Sequence, residues 1–324
     1  MTQITSTPKL VTIFGGSGFV GRHTVRALAK RGYRIRVACR RPNLAGHLQP
    51  LGNVGQIQAV QANLRNRASI DRVIQGSDHV INLVGILHEG GKQTFQSVQA
   101  FGARAVAEAA RAIGASLTHV SAIGADENSP ADYARTKAAG EKAVFETLPD
   151  AIVIRPSIVF GPEDDFFNRF AEMARFSPVL PLIGGGTTKF QPVFVGDLAE
   201  VIAQTVEGKA AGGRVYEIGG PEVMTFRECL EEMLSAIDRK RALVSVPWAV
   251  ARLQGKILGM LPNPMLTADQ VEMLKTDNVV SEAAKAEGRT VAAFGITPRS
   301  ADAILPSYLW RYRPAGQFTR KGAA

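Results

Sequence analysis

The sequence is poor in cysteine and has no long hydrophobic run. Its 324 residues contain two cysteines, Cys39 and Cys229, which are too few for a disulfide framework and are typical of a reducing compartment. No run of about 18 apolar residues occurs, so the sequence predicts no transmembrane helix. The first predicted strand starts by Lys9, and we expect no signal or transit peptide ahead of it.

Motifs for metal binding and for hydrolysis are also missing. The five histidines are scattered and, with two cysteines, show no metal-ligand spacing. No G-x-S-x-G elbow occurs, so a hydrolase triad is unsupported. We therefore expect no metal site.

Acidic residues are absent from the first 70 positions, which contain 11 Lys or Arg. Because the net charge of the whole chain is +9, the rest of the chain sums to −2. We expect the basic face to meet an anionic membrane surface or an acidic protein partner, or to be merely solvated. A nucleic-acid partner is not expected, since interleaved aromatic residues are missing. A second basic patch, which we treat as a tail over 311–324, contains Arg311, Arg313, Arg320 and Lys321.

A glycine-rich stretch near the N-terminus organises the chain. An apolar run from Lys9 predicts a buried strand, and a helical pattern covers Phe19–Lys30. Between them lies G-x-x-G-x-x-G, formed by Gly15, Gly18 and Gly21. Strand, glycine turn and helix predict the start of a dinucleotide-binding βαβ unit. The alternative is a βα turn that needs glycines and binds no phosphate.

Each glycine has a predicted task. Gly15 permits the tight turn, Gly18 lets the backbone approach a pyrophosphate, and Gly21 lets the helix pack against the strand. The first helical turn, including Ser17, Phe19 and Val20, would direct N–H groups at the phosphates, where the helix dipole favours an anion.

The residues after the second predicted strand, Arg34–Cys39, favour one cofactor. An acid at this position would hold the ribose 2′-hydroxyl of NAD. The sequence has Arg40 and Arg41 instead, and arginine can pair with a 2′-phosphate. We predict NADP(H) over NAD(H); the alternative is that both arginines are solvated turn residues.

Strands and helices continue to alternate, which predicts an α/β fold with a doubly wound parallel Rossmann sheet. After the third strand, Ile57–Val60, we expect Asn63 and Leu64 to contact adenine. The fourth strand, Asp78–Val84, ends at the carboxyl edge where open sheets bind ligands. Further cofactor contacts are predicted there for Leu83, Val84 and Gly85.

A catalytic set follows the fifth predicted strand. Ser121 ends that strand, and Tyr133 and Lys137 share one face of the next helix at spacing i, i+4. An ammonium ion beside a tyrosine favours the phenolate. Tyr133 could then exchange a proton with a carbonyl or alcohol, Lys137 could also bind the nicotinamide ribose, and Ser121 could polarise the substrate oxygen.

These motifs, with Arg155–Pro162, Gln191–Ala199 and Tyr216–Gly220, resemble the extended branch of the short-chain dehydrogenase/reductase superfamily. The resemblance implies that Pro156 and Val159 lie against the nicotinamide and that the C-terminal part forms a smaller lobe. We expect a Rossmann core over 1–160, completed by about 191–220. The lobe would cover about 161–190 and 221–310.

Other segments resemble the NADPH-binding accessory subunits of respiratory complex I and their bacterial homologues; they are Asp78–Gly85, Lys137–Lys142, Phe160–Asn168 and Lys189–Val195. This resemblance implies a tightly held structural NADPH, other respiratory subunits as partners, and a peripheral location on the cytoplasmic side of a bacterial inner membrane. The alternative is a free, cytoplasmic NADPH-dependent oxidoreductase or epimerase acting on an unknown small molecule. Leu83 and Val84 depart from the extended enzymes, which usually carry alanine or glycine there, and would narrow the space beside the nicotinamide.

The stretch Pro247–Leu261 is apolar, with only Arg252 and Lys256 charged. It is too short and too interrupted to span a bilayer. We expect a helix that lies at a membrane interface, in a groove on a partner, or packed within the lobe.

Overall fold

A computed structural model describes residues 8–262 and 264–315. The chain forms two compact units. Of the described residues, the first unit contains those up to Arg155 together with Ala199–Tyr216, and the second contains Pro156–Leu198 together with those from Glu217 onward.

Thirteen strands and eleven α-helices are formed by the described residues. The strands are β1 Leu10–Phe14, β2 Arg34–Cys39, β3 Ile57–Gln61, β4 His79–Asn82, β5 Ser116–Val120, β6 Ile152–Pro156, β7 Val159–Phe160, β8 Val179–Ile183, β9 Lys189–Phe190, β10 Val193–Phe194, β11 Arg214–Ile218, β12 Met224–Thr225 and β13 Ala242–Val246. The helices are α1 Phe19–Lys30, α2 Arg67–Ile74, α3 Phe101–Ala112, α4 Asp132–Thr147, α5 Phe167–Phe176, α6 Val195–Val206, α7 Phe226–Ala236, α8 Trp248–Leu258, α9 Ala268–Met273, α10 Glu282–Ala286 and α11 Ala301–Leu309.

The central sheet has seven strands in the order β11-β6-β5-β4-β1-β2-β3. Neighbouring strands from β6 to β3 run parallel. The chain moves outward from β1 in both directions, so the prediction of a doubly wound α/β sheet is confirmed. β1 lies between β2 and β4, and Val11 and Ile13 in it are fully buried, as expected for a strand covered on both faces. The order reverses between β1 and β4, where open sheets bind ligands.

Most elements follow the sequence pattern closely. α1 and β2 have the predicted bounds. β4 is shorter than predicted and ends at Asn82, because the Asn82 side chain accepts the backbone N–H of Val84 at 3.2 Å and turns the chain out of the ladder. A π-helical turn, Gln96–Ala100, directly precedes α3.

Several basic residues of the first 70 are used internally. Arg31 pairs with Glu200 and Glu207, and Arg67 pairs with Asp71 and Glu108. The Arg36 guanidinium donates to the backbone oxygens of Val73 and Gln75. The predicted basic face is therefore partly a set of structural contacts.

The second unit has its own core, formed largely by aromatic rings. Phe166 contacts the rings of Phe167, Phe170, Phe190 and Phe226 at centroid distances of 5.0–6.0 Å. These residues come from the start of α5, from β9 and from α7, so their packing holds the unit together.

A buried carboxylate fixes the loop that leads into α5. Asp164 accepts the backbone N–H groups of Gly161, Phe166 and Asn168 at 3.0–3.1 Å, and the Tyr308 hydroxyl at 2.6 Å. Burial raises the pKa of Asp164, and these donors oppose that shift. The carboxylate therefore ties this loop to α11.

Two arginines of the predicted basic tail are held by hydrogen bonds. Arg311 donates to Asn168 Oδ1 at 2.6 Å, and Arg313 donates to the Ala236 oxygen at 2.9 Å. Arg320 and Lys321 lie outside the described residues. Within 8–262 and 264–315, no helix combines the length and the hydropathy needed to cross a bilayer.

Candidate functional site

The glycine turn after β1 is closely packed. Gly15 has φ +80°, and a Cβ there would lie 3.2 Å from the Leu83 carbonyl carbon and from Val84 Cγ2. A Cβ at Gly21 would lie 2.3 Å from the Gly15 oxygen and 2.5 Å from the Gly16 Cα. Gly21 thus lets α1 pack closely on the glycine turn; the prediction had placed this close packing against the strand. Residues with side chains at these two positions would displace backbone.

The N-terminus of α1 lies at this edge. Gly18 is the N-cap residue, its backbone N–H donates to the Gly15 oxygen at 3.0 Å, and it provides no side-chain cap for the first turn. The first turn contains Phe19, Val20 and Gly21 and no acidic residue. A helix N-terminus of this kind is suited to bind an anion.

Ser17 lies beside the end of β2. Its side chain and the Arg41 backbone hydrogen-bond to the Cys39 thiol, and burial raises the pKa of that thiol. Cys39 is half-buried. The glycine turn and the two arginines after β2 are therefore close neighbours.

The two arginines after β2 are exposed. Arg40 Nη1 donates to Gln93 Oε1. Arg65, which follows β3, donates through Nη1 to the Lys92 oxygen at 3.1 Å. Residues 92 and 93 thus bring the guanidinium groups of Arg40 and Arg65 to the same edge. The sequence contains no signal for Arg65 or Gln93, because the loop after β4 that contains Gln93 has no periodic pattern.

The predicted adenine contacts lie at the end of β3. Asn63 is half-buried, and its Oδ1 accepts the Arg65 backbone N–H at 3.1 Å. Leu64 is buried, and its Cδ1 would lie 3.2 Å from a Cβ at Gly102. One amide atom of Asn63 thus has a structural partner, and Leu64 is chiefly a core residue whose edge faces α3.

The fifth and fourth strands bring the predicted catalytic set together. Lys137 Nζ donates to the Val120 oxygen at 3.2 Å, next to Ser121, and lies 5.9 Å from the centroid of the Tyr133 ring. A Cβ at Gly85 would be 3.4 Å from the same Nζ. Lys137 therefore sits among three groups predicted to bind cofactor or substrate. The Tyr133 ring packs edge-on against Phe95 at 5.8 Å.

Ser121 is buried, and within the residues that the structure describes its Oγ has no hydrogen-bond partner. A buried hydroxyl without a partner is costly. Its position beside Lys137 suits a ligand oxygen.

Two contacts position α4. Arg155 on β6 makes a bidentate ion pair with the buried Glu141, with N–O distances of 2.6–3.1 Å. Gln99 joins the chain after β4 to α4: its Nε2 donates to the Ile86 oxygen, and its Oε1 accepts from Thr136, both at 2.9 Å. Glu141 lies at i+4 from Lys137 and could have been found from that spacing; Gln99 carries no local signal.

Burial dominates the electrostatics of this region. It lowers the pKa of Lys137 to about 8, while Glu141 opposes the shift. It also lowers the pKa of the buried His119 to about 3, with a smaller contribution from the Lys137 charge. A bound group that accepts from Lys137 would favour its charged form.

Pro156 ends β6, and Val159 begins β7. Both belong to the second unit, and their contact with the nicotinamide stays a prediction. The described residues contain no group of three His, Cys, Asp or Glu side chains placed to hold a metal ion.

The site fits a nicotinamide dinucleotide on three observations: the closely packed glycine turn, an α1 N-terminus without a side-chain cap, and the Ser121 hydroxyl without a partner. Gly15, Gly18 and the first turn of α1 would hold the pyrophosphate, and Lys137 the nicotinamide ribose. When bound, this cofactor supplies or accepts a hydride.

Comparison with known proteins gives the same class of site. A profile of the NAD dependent epimerase/dehydratase family matches residues 11–219. The chain is 35% identical over 286 residues to the mitochondrial NADH dehydrogenase (ubiquinone) 1 alpha subcomplex subunit 9 of Arabidopsis thaliana, covering 84% of this chain and 71% of that protein. It is 31% identical over 313 residues to the ceramide reductase of Caulobacter vibrioides, covering 95% of each.

Among solved structures, the NADPH-dependent quinone oxidoreductase QOR2 of Escherichia coli, complexed with NADPH, superposes with a TM-score of 0.70 at 19% identity. The match covers 92% of this chain and 98% of that one. At this identity the likeness concerns the fold. Together these comparisons support binding of a nicotinamide nucleotide.

Proposed function

The chain belongs to the NAD dependent epimerase/dehydratase family, and we propose that it is an NADP(H)-binding accessory subunit of NADH:ubiquinone oxidoreductase. The observation that carries this proposal is the 35% identity over 286 residues to a protein named as a subunit of that complex. The glycine turn supports it, because the bound nucleotide would stabilise the first unit.

The choice of NADP(H) over NAD(H) is part of the proposal. Arg40 and Arg41 follow β2 where an acid would favour NAD, and Arg65 lies at the same edge through residues 92 and 93. Exposed guanidinium groups can bind a 2′-phosphate bidentately.

Replacing both strand-end arginines tests this preference. The variant Arg40→Asp with Arg41→Asp should weaken NADPH binding by at least about tenfold and leave NADH binding nearly unchanged, since only NADPH carries the 2′-phosphate. Arg26→Asp with Lys30→Asp, on α1, is the charge-matched control. Equal losses for both nucleotides in the strand-end variant would show that the arginines do not read the 2′-phosphate.

Association with the respiratory complex is tested in membranes. We place the chain at the cytoplasmic side of a bacterial inner membrane, as a peripheral partner of other respiratory subunits. The tagged native protein, after gentle solubilisation, should comigrate with NADH:ubiquinone oxidoreductase activity in a size separation. Migration only as a small separate species would contradict the assignment.

A second function is favoured by the catalytic set. Ser121, Tyr133 and Lys137 are all present, Lys137 lies beside both of the others, and the end-to-end relative is named a ceramide reductase. In this alternative the chain reduces a carbonyl: Ser121 orients the oxygen, Tyr133 donates the proton, and Lys137 holds the ribose and favours the phenolate.

The alternative has its own test. NADPH oxidation would be followed with lipid and small-molecule carbonyl substrates. Tyr133→Phe should abolish turnover and leave NADPH affinity within about twofold, because it removes only the proton donor. Phe95→Leu, which changes the ring packed on Tyr133, is the control for local disturbance. Full activity in Tyr133→Phe would exclude this mechanism.

A further inference from the structure

α8 packs on the protein through small residues and through Trp248 at its start, and it turns most of its other large side chains to solvent. Of its 11 residues only Ala251 and Gly255 are buried. A Cβ at Gly255 would lie 2.8 Å from the Ala268 backbone nitrogen, so this face packs closely on the start of α9. A surface helix normally buries its large apolar residues. After Trp248, α8 has largely the opposite arrangement.

The exposed apolar residues form a continuous surface. Val250, Leu253 and Ile257 follow the spacing i, i+3, i+7, which places them on one helical face, and Leu253 and Ile257 are each 60% exposed. The chain after the helix adds Met260, at 84% exposed, and Leu261. We call these five residues the α8 surface.

The charge around the α8 surface has one sign. Between Asp238 and Asp269 the sequence contains no acidic residue and five basic ones: Arg239, Lys240, Arg241, Arg252 and Lys256. Arg252 and Lys256 are exposed on α8 itself. Their long stems can lie along an apolar phase while the charges reach its polar boundary.

We infer that the α8 surface is a docking site for an anionic phospholipid bilayer, in which α8 lies flat at the interface. A short helix with large apolar residues on one face, lysine and arginine beside it and no acid has the properties of an interfacial helix. Each basic residue near an anionic lipid surface strengthens attraction, whereas an uncharged surface would not use this charge. The inference goes beyond the proposed function and holds for either candidate.

Vesicle binding by the purified full chain tests the inference. Sedimentation with phosphatidylcholine vesicles is compared with sedimentation with vesicles that also contain phosphatidylglycerol. We expect binding to the mixed vesicles, weakened by salt. Leu253→Ser with Ile257→Ser should lower the partition coefficient at least about tenfold. Arg252→Ser with Lys256→Ser should lower it by about fivefold per residue for the anionic vesicles only.

The matched control is Leu44→Ser with Val54→Ser, which removes two exposed apolar side chains of the first unit and should leave vesicle binding unchanged. NADPH affinity and melting temperature check that each variant is folded. Absence of binding by the wild-type chain would overturn the inference. The inference would also be overturned if the α8 variants bound the mixed vesicles as well as the wild type does, or if they lost only self-association in solution. Because the assay requires neither the respiratory complex nor turnover, its failure is distinct from failure of the proposed function.

Discussion

The substitution Gly21→Ala sets helix propensity, which favours alanine, against a close contact with the glycine turn, which leaves no space for the new Cβ. Gly21 lies inside α1, and in an exposed helix the change from glycine to alanine stabilises by about 1 kcal/mol. Here the new Cβ would lie 2.3 Å from the Gly15 oxygen and 2.6 Å from the Gly16 carbonyl carbon. Both are backbone atoms of the turn, so they cannot move aside as the end of a side chain can.

We expect the cost of the close contact to exceed the gain in helix propensity. Overpacking of a close contact costs about 1–3 kcal/mol, and a backbone neighbour places this case at the upper end. After the helix gain is subtracted, we expect a net loss of about 2 kcal/mol. At about 2–4 °C per kcal/mol, the melting temperature should fall by about 4–8 °C. NADPH affinity should also fall, because the displaced turn is the predicted pyrophosphate site.

Thermal unfolding with and without NADPH measures both effects. Gly46→Ala is the control, since a Cβ there meets no atom within 4 Å, and it should change stability by less than about 0.5 kcal/mol. A Gly21→Ala protein that melts higher than wild type, as helix propensity alone requires, and that binds NADPH normally would refute the reasoning.

Three further predictions concern buried charged or titratable groups. Burial lowers the pKa of Lys137 to about 8, so the affinity for NADPH should be constant below about pH 8 and weaken above it as the ammonium loses its proton. The Lys137→Met protein should bind NADPH more weakly, with no such pH dependence. Fluorescence titration measures both, and a wild-type affinity that does not change with pH would contradict the assigned role. Burial also lowers the pKa of His79 to about 4 and of His119 to about 3. Because a histidine in the unfolded chain has a pKa near 6.5, the contribution of each to the free energy of unfolding is complete above that pH and should fall by about 2 kcal/mol between pH 6.5 and 5. Urea unfolding at both pH values measures this fall, and an unchanged free energy of unfolding would count against the prediction. Asp164→Asn turns an amide NH₂ toward two of the four donors that now hydrogen-bond to the carboxylate, and it should lower the free energy of unfolding by about 2–4 kcal/mol. Tyr308→Phe removes one hydrogen bond and should lower it by about 1 kcal/mol. Equal losses for the two variants would contradict this network.

Local patterns predicted the first unit well. The bounds of α1 and β2 follow directly from apolar periodicity between glycine and arginine markers. The doubly wound parallel sheet was predicted from the alternation of strands and helices, whereas the strand order comes from the structure. Ser121, Tyr133 and Lys137 could be predicted as a set because strand end and i, i+4 spacing are properties of short segments; the structure places Lys137 beside the other two, and their catalytic role stays a prediction.

Contacts between distant segments could not be predicted in this way. The pair Arg155 and Glu141 joins a strand to a helix, and Gln99 joins the chain after β4 to α4. The spacing to Lys137 could have pointed to Glu141, but its pairing with Arg155 and the contacts of Gln99 do not follow from periodicity. Gly21 was assigned to helix packing, but the sequence does not indicate that backbone atoms of the turn occupy the space of its Cβ. For α8, the sequence allowed a packed or an exposed helix, and the burial of Ala251 and Gly255 decides which face is inward.

Binding of NADPH by the purified chain tests the central claim most directly. A ligand that binds only the native state stabilises it by about 2.7 kcal/mol at 100 times its dissociation constant, which corresponds to a rise of about 5–10 °C in melting temperature. We expect that rise with saturating NADPH, and a smaller one with NADH at the same concentration. A melting curve that is indifferent to saturating NADPH would contradict the account.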